Sequence, residues 1–126
     1  MESTKIIEIY QEEKKDNIVQ KTDIFNTLIK IGVNPKYKGF RYIADAVELC
    51  IKDPSVIYNG ITKVLYRELA KMYSISPYSV ERDIRTAIDW IDFTDFQNIV
   101  FGSTYIKDHY TNKEFITYIY TYFLYN

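Results

Sequence analysis

Apolar residues recur at three-and-four spacing along most of this chain, and no stretch of useful length alternates apolar with polar as a half-buried strand would. Ile24, Phe25, Leu28, Ile29 and Ile31 mark a short first core helix, opened by Asp23 and stopped by Gly32. Phe40, Ile43, Ala44, Val47, Cys50 and Ile51 mark a second; Pro35 and Gly39 flank its start and Asp53-Pro54 ends it. A connector containing Asn59-Gly60 leads to a third amphipathic run, Ile61, Val64, Leu65, Leu69, Ala70 and Tyr73. Further on, a shorter helix is expected near Asp95 to Phe101 and a final one from Thr111 to about Leu124, where Thr111 and Glu114 fit a capping box. Residues 3 to 15 carry Ile6, Ile7, Ile9 and Tyr10 among charges, a pattern that suits either a short helix or an arm. The expectation is an all-α protein: an N-terminal arm or short helix over residues 1–21, then one domain over 22–126.

The segment between the third run and residue 91 has more content than periodicity alone. Ser76-Pro77 reads as an N-cap followed by proline at the first helical position. The hydroxyl accepts an orphan amide, and proline lacks the amide that would go unpaired. A helix from about Ser76 to Ile91 follows, with Val80, Ile84, Ala87, Ile88 and Ile91 on one face and Ser79, Glu81, Arg82, Arg85 and Thr86 on the others. Ala70 is small where two helices must cross, Ile75 plugs the turn, and Val80 and Ile84 clamp the second helix onto the first. This is helix-turn-helix logic, and the outward face is short or polar at its start and cationic along its length, as entry into a DNA major groove requires. The competing reading is an ordinary helical hairpin with a solvated charged face.

Charge distribution favours the first reading more than net charge does. The chain of 126 residues has a net charge of -1, but residues 30–85 hold ten Lys or Arg against six Asp or Glu, while 86–126 hold two against five. Such asymmetry is expected when one face meets phosphate. Thirteen tyrosines suit core edges and contact surfaces alike. There is no signal-peptide pattern and no run of about 18 apolar residues, so a soluble, cytoplasmic protein without membrane association is expected.

The stretch Gly60-Ile61-Thr62-Lys63-Val64-Leu65-Tyr66, then Ala70-Lys71, then Val80-Glu81-Arg82-Asp83-Ile84-Arg85-Thr86-Ala87-Ile88, closely resembles the C-terminal effector domain of the stage-zero sporulation response regulators of endospore-forming bacteria. Ile31-Gly32-Val33, Lys38-Gly39-Phe40, Phe101-Gly102 and Thr111-Asn112-Lys113-Glu114-Phe115-Ile116 extend the resemblance, in order, over roughly residues 22 to 120. It implies a six-helix bundle containing a helix-turn-helix, which binds short double-stranded DNA boxes, often as tandem copies or a dimer, and regulates transcription. Family members normally carry an N-terminal phospho-acceptor receiver. Only 21 residues precede the matching region here, so the expectation is a chain without one.

Arg82 matches an arginine of the family's reading helix, where a guanidinium can bond two acceptors on guanine. Glu81 matches as well, and can either accept from a cytosine amino group or orient Arg82. Ser79 and Thr86 are the other base-contact candidates; they stand where the family has arginine and histidine. Arg85 and Lys63 are candidates for phosphate contact, together with Ser76 and Tyr78 at the helix start, and Lys71 and Arg67 are weaker ones. Asp83 stands where the family has alanine, an added carboxylate expected to weaken phosphate attraction and alter the preferred box. Arg67 replaces a proline, which is expected to leave its helix straighter.

No enzyme is expected. His109 and Cys50 are the only residues of their kinds, too few ligands for a structural zinc site, and the four glycines lack a phosphate-cradling spacing. Cys50, among Ala46, Val47, Leu49 and Ile51, reads as a plain buried thiol, and no cofactor is implied. The alternative function is a protein-interaction module or antagonist that modulates a full-length regulator or the transcription machinery, such as a polymerase sigma subunit. Its motivation is the near-neutral charge and the tail of Tyr118, Tyr120, Tyr122, Phe123 and Tyr125.

Overall fold

The computed structural model describes residues 19–103 and 105–125; the arm expected at the N-terminus lies almost wholly outside them. Among the described residues the structure is helical throughout, with no strand. The helices are α1 (Lys21–Lys30), α2 (Lys38–Lys52), α3 (Ser55–Asn59), α4 (Tyr66–Tyr73), α5 (Pro77–Asp89), α6 (Thr94–Phe101) and α7 (Asn112–Tyr125). All six expected helical segments are present. The connector before Gly60 holds the additional short α3, whose Val56 is buried.

Two boundaries differ from the sequence reading for local reasons. Helix α1 begins at Lys21 rather than Asp23, because the Gln20 amide donates to the Asp23 carboxylate at 3.0 Å, making Asp23 the third residue of the helix rather than its cap. Its Ile29 points outward and is exposed, so the apolar face of α1 is Ile24 and Leu28, with Phe25 stacked on Phe40 at 5.7 Å. The third run is not one straight α-helix. Residues Ile61–Leu65 wind as a π-helical turn that passes into α4.

Helix α2 is the axis of the molecule: α1, α5 and α7 pack against it, and Ile43, Ala44, Ala46, Val47 and Cys50 are fully buried along it. Amid them sits Asp45, 3% exposed, a carboxylate whose burial requires partners. Lys21 of α1 and the Tyr73 hydroxyl of α4 both donate to it, so one buried charge ties three helices together. Burial and the Asp45 carboxylate push the Tyr73 phenol up to about 12.

The C-terminal third is an aromatic core. Phe96 lies 4.8 Å from Phe115 and 4.9 Å from Tyr110, ring centre to ring centre, and Phe93 joins them. Beside these rings, buried Gln97 accepts three hydrogen bonds on Oε1, from the amides of Ile106 and Lys107 and the hydroxyl of Tyr110, which pins the irregular segment between α6 and α7. The capping box of α7 is formed as expected: the Glu114 amide donates to Thr111 Oγ1 and the Thr111 amide to Glu114 Oε1, both at 3.1 Å. The tyrosine tail divides. Tyr120 is buried, Tyr118 packs on Phe101 and Tyr110, and Leu124 and Tyr125 are exposed. No described helix is long and apolar enough to cross a membrane.

Candidate nucleic-acid interface

The turn between α4 and α5 is three residues long, and each has a geometric task. Ser74 takes the left-handed conformation (φ 54°) that reverses the chain, and the Ile75 amide then donates back to the Ala70 carbonyl at 3.0 Å. Ser76 caps α5: its Oγ accepts from the Ser79 amide at 3.1 Å, and Pro77 occupies the first helical position. Val80, Ile84, Ala87 and Ile88 bury the inner face of α5, as their spacing predicts, and Ile91 is buried just beyond its end. Ala70 is buried at the crossing with α4, and Ile75 is half-buried in the turn.

A contact that periodicity does not reveal seats α5 on α2. A Cβ built on Gly39 would lie 2.2 Å from the Asp83 carbonyl oxygen and 2.8 Å from Ala87 Cβ. Gly39 is thus not a turn residue flanking the second helix. It lies in the first turn of α2, where the missing side chain lets the backbone of α5 approach. Its signal was available as a lone glycine in the first turn of an amphipathic helix, but its partner was not.

The outward face of α5 is a stripe of Tyr78, Arg82, Arg85, Thr86 and Asp89, all exposed, with Ser79 half-buried beside it. Arg82 lies 3.7 Å from the Asp83 carboxylate, and its guanidinium is 5.9 Å from the Tyr78 ring centre. Glu81 does not orient Arg82. Its carboxylate takes Arg85 instead, Nη1 to Oε1 at 2.5 Å, one helical turn along. Thr86 donates back to the Arg82 carbonyl at 3.0 Å, and Ser79 Oγ sits 2.9 Å from Ser76 Oγ. Lys63 is exposed in the π turn, Arg67 is exposed on α4, and exposed Lys71 lies 3.7 Å from Glu68.

Asp83, the carboxylate that stands where the family has alanine, lies at the edge of the outward stripe. Its side chain is only 21% exposed and stands close enough to Tyr42 of α2 to help raise that phenol's pKa, behind the larger effect of burial. The added carboxylate therefore belongs to the seam between α2 and α5 more than to the outward stripe.

A second set of residues, unmarked by the sequence reading, braces α5 from the other side. Asn112 at the start of α7 is 91% buried in effect, 9% exposed, and its Nδ2 donates both to the Tyr66 hydroxyl at 3.1 Å and to the Glu81 carbonyl at 3.0 Å. One amide thereby links α4, α5 and α7. The pair of helices is held on both flanks, leaving the Tyr78–Asp89 stripe as the outward surface.

Residues 24–123 match the family described as sporulation initiation factor Spo0A C terminal. The chain belongs to that family. The match runs from within α1 to nearly the end of α7, so the braced α4–α5 unit lies wholly inside the Spo0A C-terminal domain. This is a family of DNA-binding transcription-factor domains of sporulation, not of enzymes. Cys50 is fully buried with its thiol pushed up to about 11, chiefly by burial and further by Asp53, which disfavours the reactive thiolate. No cluster of three metal-ligating side chains occurs among the described residues.

Proposed function

We propose that this member of the Spo0A C-terminal family is a sequence-specific transcriptional regulator that lays α5 in the major groove of double-stranded DNA. The observation that carries the reading is the exposed Tyr78–Arg82–Arg85–Thr86 stripe on a helix capped by Ser76 and seated on α2 through Gly39. In this role Arg82 reads a base, because its one ionic partner among the described residues, Asp83, is at the long distance of 3.7 Å and yields readily. Glu81, Ser79 and Thr86 line the same helix and tune which base pairs are accepted. Arg85, Lys63 and Lys71 contact phosphate, joined by Ser76 and Tyr78 at the N-terminal end of α5. Such a regulator acts where the DNA is, in the cytoplasm.

The test is a titration of labelled duplexes at low and moderate salt, comparing a selected box with its scrambled counterpart. Preference for the box that Arg82→Ala removes is the expected result. Equal affinity for both duplexes, untouched by the substitution, sinks sequence-specific binding.

A second reading is favoured by one observation: α5 carries two arginines against three acids, Glu81, Asp83 and Asp89, a poor balance for attracting phosphate. Here the domain keeps the fold and binds protein, through exposed Tyr58, Leu124 and Tyr125, as partner of a second copy, a full-length regulator or a sigma subunit. Sedimentation of the chain with each candidate decides it, and monomer in every mixture ends this reading.

A further inference from the structure

Beside the reading helix lies a cleft of about 530 Å³, walled by Tyr66, Glu81 and Arg85 on one side and by the segment from His109 to Lys113 on the other. Tyr66 is only 5% exposed, and its hydroxyl oxygen accepts from Asn112 at 3.1 Å, yet no acceptor for its own hydrogen is recorded among the described residues. A buried hydroxyl with an unused donor, on a residue that lines a cleft, is a group that a ligand oxygen can satisfy. Arg85, Lys113 and His109 line the same cleft; guanidinium and ammonium can only donate, and the imidazole offers a ring N–H. Among the described residues that line the cleft the acid is Glu81, whose carboxylate at present satisfies Arg85 at 2.5 Å.

We infer that this cleft binds a phosphate group, with Arg85 and Lys113 supplying cationic donors and the His109 ring and the Tyr66 hydroxyl adding one N–H and one O–H. Entry of the phosphate exchanges one anion for another on Arg85: the guanidinium leaves Glu81, and the half-exposed carboxylate turns to solvent. The geometry explains why Glu81 and Arg85 are paired in the free protein without making that pair the bound state. A surface pair of this kind is weakly held, so a better anion displaces it. The phosphate comes either from the backbone of a bound duplex or from a free phosphate or nucleotide. Only the first source rests on the DNA reading above.

His109 is the chain's single histidine and lines the cleft, so its ring resonances in a carbon–proton correlation spectrum report occupancy without ambiguity. The full chain is titrated with inorganic phosphate against chloride at constant ionic strength, and separately with a duplex. A saturable His109 shift with inorganic phosphate supports a free-anion site, and a shift with duplex alone supports a backbone contact. Both shifts are expected to weaken roughly tenfold in Lys113→Ala and in Tyr66→Phe, the loss of one hydrogen bond to a charged group. Glu81→Gln is expected to strengthen phosphate binding, since the competing charge is gone. A shift with phosphate but no duplex binding of any kind leaves the site standing and the DNA reading fallen. An unmoved His109 with both probes, or a shift that persists undiminished in Lys113→Ala and Tyr66→Phe, overturns the inference.

Discussion

Gly39 and Asp83 stand so close that a single methylene between them has no room: a Cβ on Gly39 would lie 2.2 Å from the Asp83 carbonyl oxygen. The neighbour is backbone, which cannot swing aside as a side-chain tip can. Gly39→Ala therefore sets two effects against each other. Helix propensity gains about 1 kcal/mol, while overpacking of a tight helix crossing costs about 3 kcal/mol. A net loss of about 2 kcal/mol is expected, read as a lower urea midpoint at unchanged slope. A midpoint at or above the parent's would show that α2 and α5 can part without cost.

The cap of α5 gives a second prediction. Ser76 Oγ accepts the Ser79 amide at 3.1 Å, and no other side chain among the described residues caps that end. Ser76→Ala is expected to cost about 1 kcal/mol, and Ser76→Gly only a few tenths. For a domain of this size the alanine variant should melt about 3–6 °C below the parent in a circular-dichroism scan. Equal melting of both variants and parent would mean that packing alone sets the start of the helix.

Much of this interface was legible in the residues themselves. Ser76-Pro77 names a helix start because cap chemistry is local, and Val80, Ile84, Ala87 and Ile88 name the buried face because a helix repeats at fixed spacing. The same holds for the Thr111–Glu114 box. Features that depend on which helices cross are not local. Gly39 reads as punctuation although α5 packs against it, and nothing in the local pattern places Asp83 in the α2 seam. Asn112 and Asp45 belong to the same class: polar residues whose partners lie 31 and 46, or 24 and 28, positions away in the chain. The π turn over Ile61–Leu65 has no sequence signal that we can identify.

Arg82 and Arg85 are expected to fail differently, although both are about half exposed on one helix. Arg85 is paired with Glu81 at 2.5 Å, whereas Arg82 has only a loose ionic contact at 3.7 Å. Arg82→Ala should cost about 1–3 kcal/mol on a selected box and little on scrambled duplex, which flattens discrimination. Arg85→Ala should weaken both duplexes alike and reduce the slope of log affinity against log salt by about 1. Neither should move the melting temperature much, because exposed pairs on a helix contribute about 0.3–0.5 kcal/mol. Equal losses of discrimination from both substitutions would remove the distinction between reading and phosphate contact.

The buried thiol predicts how stability responds to alkali. Cys50 is fully buried, and desolvation, aided by Asp53, pushes its thiol from the ordinary 9.0 up to about 11. The folded value is thus raised above the unfolded one. Between these values the unfolded chain has released the thiol proton and the folded chain has kept it, so the unfolded state binds fewer protons and stability falls as pH rises. The contribution is complete below pH 9.0 and is lost towards pH 11 at no more than about 1.4 kcal/mol per pH unit. Buried tyrosines such as Tyr73 steepen the fall from about pH 10 upward, so the measurable quantity is the difference in slope between parent and Cys50→Ala. The variant loses core packing and is less stable at every pH, yet its urea-derived stability should decline more gently between pH 9.0 and 10. Parallel declines would place thiol ionisation outside the folding equilibrium, and a Cys50 that reacts with an aromatic disulfide at the unfolded rate would contradict its burial directly.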